Sequence, residues 1–314
     1  MIVEIKRKVP TLDVYWTLTD FCNFKCNYCP DKLHSGNFAT NKKRGFPTNE
    51  EISTFIDRLL NVHLKGRFLQ VCLSGGEPTL HPMYPTIVER IKPHGIIETI
   101  TNASRSIDWW KALPALPDKV TISLHNGWTK LDKLNELGEY LLGAGVDVSI
   151  NMMCDPVNWD QTMSMYTQLN DRLKSCVSAK ILTDHSGTNK DGEIFSYSKE
   201  QMEFIKATLK SSFVPGTRFT GVNRSVEMLS DDGTSVRLDN PFSLVNAKQN
   251  SFKGWKCTAG STGIAIHFDG YAYAGNCRIE KLGRIDQFEL KETPITCSRD
   301  WCKTAFDIGL DKSI

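Results

Sequence analysis

Between residues 13 and 210 the chain repeats one pattern six times: a short run rich in β-branched and aromatic residues, then a segment with helical apolar spacing. The runs are Asp13 to Thr19, Phe68 to Leu73, Ile96 to Thr101, Val120 to His125, Val146 to Met152 and Val177 to Leu182. Helices are expected around Ile52 to Leu60, then over 83–92, 106–113, 129–142, 159–173 and 198–210. Two open on capping boxes, Thr48 to Glu51 and Ser198 to Gln201. Such alternation predicts parallel strands joined by right-handed crossovers. Six units are fewer than the eight of a closed β/α barrel. In β/α architectures the chemistry gathers at the C-terminal ends of the strands.

The residues at those ends carry chemistry. The first strand runs into Cys22, Cys26 and Cys29, spaced C-x3-C-x2-C with Tyr28 before the last. Iron–sulfur clusters are held by cysteine thiolates, and a cubane has four irons. Three local ligands leave one iron without a protein ligand, open to a small molecule. A structural zinc site wants four ligands, and no neighbouring cysteine or histidine completes the set. The second strand ends in Gly75-Gly76-Glu77-Pro78. Two glycines let a ligand approach the main chain closely, and Glu77 can accept a charge-assisted hydrogen bond from an ammonium group. Asn102, Ser123, His125 and Asn151 fall at the next three strand ends.

Ten cysteines in a chain without signal-peptide features argue for metal rather than disulfides. Cys72, Cys154 and Cys176 stand singly in apolar surroundings and read as small buried hydrophobes. The other seven form two groups, the first loop and Cys257, Cys277, Cys297 and Cys302. The latter flank an expected hairpin, Gly263 to Phe268 and Tyr271 to Ala274 across the turn Asp269-Gly270. A net charge of +2 gives no electrostatic case for nucleic acid. No apolar run is long enough to span a bilayer, so a cytoplasmic protein is expected.

With the Gly-Gly-Glu segment one strand beyond the three-cysteine loop, the pattern resembles the radical S-adenosylmethionine (radical SAM) enzymes. The C-terminal cysteine group resembles their SPASM/twitch extension. The resemblance implies an α/β fold: a partial (β/α)6 barrel with a small auxiliary iron–sulfur domain of β-hairpin plus helix. It implies a [4Fe–4S] cluster on Cys22, Cys26 and Cys29, and SAM chelating the open iron. Gly75, Gly76 and Glu77 would hold the SAM amino group, Tyr28 would lie near the adenine, and Ser123 and Asn151 near the ribose or carboxylate. One electron from the cluster would then cleave SAM to methionine and a 5′-deoxyadenosyl radical that abstracts hydrogen from a C–H bond. Four further cysteines imply one auxiliary [4Fe–4S] cluster, accepting or relaying electrons. Four thiolates fit zinc equally well, and that alternative stays open on the residues alone.

The expected organisation is an N-terminal extension over 1–12, the barrel over 13–210, a bridging segment over 211–254 and the auxiliary domain over 255–314. The bridge contains a hairpin signal at Asp232-Gly233. His125, Asp155, Asp184 and His185 lie at or past strand ends, with Asp184 and His185 named as candidate catalytic groups, since a radical oxidation must also lose a proton. His81 and His94, beside prolines, read as structural. The resemblance implies an oxidoreductase or maturase that oxidises or cross-links a peptide or protein side chain. The same chemistry on an alcohol, aminoglycoside or nucleotide is the alternative, and a non-catalytic iron–sulfur or SAM-binding protein is a third. A flavodoxin or ferredoxin is the expected electron donor.

Overall fold

The computed structural model describes residues 1–7, 9–29, 46–184, 193–211, 225–238, 241, 243–302 and 304–314. Two strands open the chain, β1 (Ile2–Arg7) and β2 (Thr11–Thr19). Helix α1 (Asn49–Arg58) starts at the expected capping box: the Glu51 N–H donates to Thr48 Oγ1 at 3.1 Å and the Thr48 N–H to Glu51 Oε2 at 2.7 Å. There follow β3 (Phe68–Gly75), α2 (Tyr84–Ile91), β4 (Gly95–Thr101), α3 (Ile107–Lys111), β5 (Lys119–Leu124), α4 (Leu131–Gly143) and β6 (Asp147–Cys154). The helix expected over 159–173 is two, α5 (Trp159–Gln168) and α6 (Asp171–Lys174). Leu169 is extended, and Asn170 caps anew by accepting the Leu173 N–H at 2.8 Å. Next come β7 (Val177–Ile181), the short pair β8 (Thr183–Asp184) and β9 (Glu193–Ile194), and α7 (Lys199–Ser211), opened by reciprocal Ser198–Gln201 bonds.

Strands β2 to β7 lie side by side in chain order, every neighbouring pair parallel. One face is apolar, with Trp16, Leu73, Ile97, Ile122 and Ile150 packed in two buried clusters with residues of α1, α2 and α4. The alternate residues of β5 and, as far as Asn151, of β6 are polar. Thr121 donates to Glu98 at 2.9 Å and meets Ser149 at 2.9 Å, and Ser123 stands opposite Asn151 in register. The period of two thus separates a greasy face from a hydrogen-bonding one.

The rest of the chain is β10 (Val226–Ser230), β11 (Ser235–Leu238), α8 (Ser243–Asn246), β12 (Lys256–Cys257), β13 (Gly263–Ile266), β14 (Tyr271–Ala274), β15 (Lys281–Arg284), β16 (Ile295–Thr296), α9 (Ala305–Ile308) and β17 (Lys312–Ser313). Within residues 1–12, β1 pairs with β10 and β17 in a second sheet, ordered β11-β10-β1-β17-β12-β16. The buried Arg7–Asp13 ion pair ties β1 to β2. The C-terminal hairpin joins the main sheet. Strand β13 pairs in parallel with β2, so β13, β14 and β15 extend the main sheet to nine strands. Both pairings join residues more than 200 apart in sequence, which local patterning cannot register. Among the described residues, no helix is long and apolar enough to cross a membrane.

Candidate active site at the strand ends

Beyond Thr19 the β2–β3 ladder continues. The Gly76 N–H donates to Thr19 O and the Glu77 N–H to Phe21 O, both at 2.8 Å, one residue short of Cys22. A Cβ on Gly75 would lie 2.3 Å from Thr19 O, and one on Gly76 2.3 Å from Phe21 O. The sequence suggests that these glycines bare amides for a ligand. In the structure the close neighbour is the chain entering the cysteine loop, so the glycines let the two strand ends meet.

Glu77 is fully buried. Its Oε1 accepts from the Thr79 N–H (3.1 Å), the Thr79 hydroxyl (2.6 Å) and the Thr101 hydroxyl (2.8 Å), while Oε2 accepts from the Asn102 N–H at 2.6 Å. The carboxyl therefore ties the end of β3 to the end of β4. Burial raises its pKa, and these donors oppose the rise by favouring the anion. Oε2, with one donor, keeps acceptor capacity. Asn102 also reaches the loop, its amide donating to Asn23 Oδ1 at 3.0 Å and to Cys22 Sγ at 3.6 Å.

The three loop thiols share one environment. Cys26 and Cys29 hydrogen-bond through their side chains, and Cys22 feels the charge of Cys29. Cys22 Sγ also accepts the Phe24 N–H at 3.4 Å, and the Cys29 N–H closes a turn on Cys26 O at 3.1 Å. Burial pushes the Cys22 thiol up to about 11. Cys26, which donates to Cys29, is raised by that bond and by burial, and Cys29 is lowered by it. Cys26 is buried while Cys22 and Cys29 are partly exposed, and the Cys22 sulfur accepts two N–H bonds. Three grouped sulfurs of this kind suit thiolates neutralised by an electropositive group, so the donor set fits an iron–sulfur cluster.

Aromatic residues wall the loop. Tyr28 Oη lies 2.8 Å from His125 Nδ1, with the two rings stacked at 5.8 Å. His125 Nδ1 is also 3.4 Å from Cys26 Sγ. Phe24 meets His125 edge-on and stacks on the half-exposed Trp128 at 5.6 Å. The structure thus brings Cys22, Cys26, Cys29, Tyr28, Gly75, Gly76, Glu77 and His125 together. Ser123 and Asn151 adjoin across β5 and β6, although Asn151 lies three residues inside β6 rather than at its end. Phe24, Asn23, Asn102 and Trp128 complete the site. The signal for the first two was their place between cysteines, and for Asn102 its place at a strand end. Asp155 caps its own turn, accepting the Val157 N–H at 3.0 Å and the Asn158 side-chain amide at 2.8 Å. The backbone of Asp184 lies in β8, and His185 falls outside the described residues. His81 is structural, its Nδ1 accepting the Met83 N–H at 3.1 Å. Of the lone cysteines Cys154 is buried, while Cys72 and Cys176 are partly exposed.

The second cysteine group is also drawn together. Cys257 senses Cys297, Cys277 senses Cys257, and Cys302 senses Cys257 and Cys277. Burial raises Cys257 and Cys302, and lifts Cys277 to about 12. Among the described residues, no three His, Cys, Asp or Glu side chains are grouped as a single metal ion requires. A cubane takes one thiolate on each iron, so its ligands need a shared cavity rather than one meeting point.

The radical SAM superfamily model matches residues 16–169, a span that contains the loop, the Gly-Gly-Glu segment, Ser123 and Asn151. GTP 3′,8-cyclase of Staphylococcus aureus (strain JH9) is 24% identical over 191 residues, and the match takes in 55% of each protein. The chain thus spans about half the length of the curated relatives it matches. The solved structure "Native anSMEcpe with bound AdoMet" superposes with a TM-score of 0.54 at 16% identity, covering 88% of this chain and 79% of that one. The same protein with bound AdoMet and Cp18Cys peptide gives 0.52 at 16% identity, covering 89% and 78%. The fold is shared with those structures, and residues 16–169 of this chain match the radical SAM superfamily model.

Proposed function

We propose that the chain is a radical SAM oxidoreductase or maturase that activates a C–H bond of a peptide or protein side chain. The observation that carries this reading is the gathering of three thiols from one loop beside Glu77 and Asn102 at the strand ends. When bound at Cys22, Cys26 and Cys29, a [4Fe–4S] cluster with SAM supplies one-electron cleavage of a carbon–sulfur bond and a 5′-deoxyadenosyl radical for hydrogen abstraction. The protein's part is positioning. Asn102 and the Phe24 N–H hydrogen-bond the Cys22 sulfur. Gly75 and Gly76 seat the loop on β3, and buried Glu77, which joins the ends of β3 and β4, positions this segment for the SAM amino group in this reading. Tyr28, held by His125, faces the adenine in this reading, and Ser123 and Asn151 serve the ribose or carboxylate. Phe24 and Trp128 exclude water from the loop. Asp184 and His185 are the proposed base for the proton that an oxidation releases.

In this reading β2 to β7 act as the partial (β/α)6 barrel. Cys257, Cys277, Cys297 and Cys302 hold one auxiliary [4Fe–4S] cluster of the SPASM/twitch kind, closed by four protein ligands and suited to electron transfer. A cytoplasmic flavodoxin or ferredoxin supplies the electron. The fold likeness to a structure solved with a bound peptide covers 89% of this chain and supports the peptide class. The match to GTP 3′,8-cyclases favours a second reading, the same chemistry on a nucleotide. Anaerobic reconstitution, reduction and measurement of 5′-deoxyadenosine separate them. Faster release on adding cysteine-containing peptides supports the first, and a response to GTP alone reverses the ranking. No SAM cleavage at all removes both and leaves a non-catalytic SAM-binding protein.

A further inference from the structure

Two buried charges bracket the C-terminal cysteines. Lys312, on β17, is the cross-strand partner of Cys257 on β12. Its side chain is 4% exposed. The ammonium donates to the main-chain oxygens of Asp307, Ile308 (3.1 Å) and Leu310 (2.9 Å), where α9 ends, and lies 5.3 Å from the Phe252 ring centre. Among the described residues no carboxylate stands within ion-pair distance of it. A desolvated cation with neutral partners keeps a strong field in a low-dielectric interior. That field falls on Cys257 and Cys302.

Asp307 supplies the opposite sign. It is 2% exposed, and its Oδ1 accepts the Asn276 N–H at 2.7 Å, on the turn that presents Cys277. The Cys277 N–H also bonds this carboxyl, and the Thr304 hydroxyl donates to Oδ2 at 2.9 Å. A Cβ on Gly275 would stand 2.7 Å from Asp307 Oδ1 and 3.3 Å from Cys277 Sγ, which places carboxylate, turn and sulfur in one contact. Asp307 thus holds Cys277 in place and directs a negative field at Cys277 and Cys302.

We propose that Lys312 and Asp307 are opposed positioning residues that set the reduction potential of an iron–sulfur cluster on Cys257, Cys277, Cys297 and Cys302, Lys312 raising it and Asp307 lowering it. The proposal rests on the auxiliary-cluster reading above. Gain of one electron from a reductant makes the cluster more negative. A fixed cation stabilises the reduced form and a fixed anion the oxidised form, and potentials follow charge and hydrogen bonding around the sulfurs.

The test uses the full chain with Cys22, Cys26 and Cys29 all changed to Ala, so that only the C-terminal cysteines take up iron. It is reconstituted anaerobically and titrated with dithionite and mediators while the reduced cluster is followed by electron paramagnetic resonance. About four irons per chain are expected. Lys312→Met should lower the reduced-to-oxidised ratio at least tenfold at the parent midpoint, equivalent to 59 mV for a one-electron couple. Lys312→Arg should restore the parent value, and Asp307→Asn, which keeps the shape, should shift the ratio in the opposite direction. With iron bound, midpoints that stay put, or that move the same way in Lys312→Met and Asp307→Asn, overturn the proposal. Should Lys312→Met fail to fold, an unmoved Asp307→Asn overturns it alone. A parent that binds no iron removes the auxiliary-cluster reading itself, an outcome the iron count reveals before any potential is read.

Discussion

Cys22, Cys26 and Cys29 come from one short loop, whereas Cys257, Cys277, Cys297 and Cys302 come from separate segments of a folded framework. The main chain around each of the four later cysteines is pinned elsewhere in the fold. Cys257 lies in β12 between β16 and β17, Cys297 exchanges backbone bonds of 2.8 Å with Gly254 and Trp255, and the Cys302 N–H donates to Asn250 O at 2.8 Å. Cys277 is held through Asp307. The loop cysteines are secured from outside instead, by Asn102, His125 and the carbonyls met by Gly76 and Glu77. Ligands delivered by tertiary structure can enclose a group on all sides. Ligands on one loop leave one side open to the strand ends, where a second molecule can reach it. In the reading proposed above, that difference matches chemistry at the first group and electron traffic at the second.

The sharpest way to break that division is Cys26→Ala. SAM cleavage should fall to background, while about four irons remain on the C-terminal group; loss of all iron would show that the two groups are not independent. Gly76→Ala should come next. Its Cβ meets the Phe21 carbonyl, which cannot yield as a side chain can, so about 3 kcal/mol of stability should be lost, the upper range for overpacking. Thermal unfolding measures this, and iron should leave the first group before the second.

Acid should distinguish the regions more gently. Burial lowers His81 to about 4, and its neutral Nδ1 accepts the Met83 N–H beside the Gly-Gly-Glu segment. The unfolded chain protonates first, near 6.5. The stability due to neutral His81 is therefore full above about pH 6.5, falls as pH drops, and is gone near pH 4, a loss on the order of 3 kcal/mol. Denaturant midpoints measured from pH 8 to 5 should show the fall, and His81→Gln should flatten it. The smallest effect belongs to Thr48→Ala, which removes one cap and about 1 kcal/mol. Its partner Glu51 also pairs with Arg284 on β15, so stability should drop with both iron contents unchanged.

Much of this was legible in the sequence, for identifiable reasons. The strand and helix periods from residue 13 to 210 are local, and so are the two capping boxes. The break between α5 and α6 was not seen, because Asn170 interrupts an apolar pattern that Leu169 and Leu173 continue. The joining of β1 to β10 and of β13 to β2 was hidden, since each strand carries the same alternation whichever partner it finds. At the site the cysteines and Glu77 were readable by spacing. The contacts of Asn102 with Cys22 and of His125 with Tyr28 depend on the juxtaposition of strand ends. Lys312 and Asp307 gave no motif, because their meaning comes from burial and from meeting Cys257 and Cys277 across the fold.

The most direct test of the division is a variant with Cys257, Cys277, Cys297 and Cys302 all replaced by Ser, reconstituted anaerobically and assayed for iron and for 5′-deoxyadenosine from SAM. Iron is expected to fall from about eight to about four per chain while SAM cleavage persists, uncoupled from oxidised product. Unchanged iron, or complete loss of SAM cleavage in a folded variant, would contradict the division.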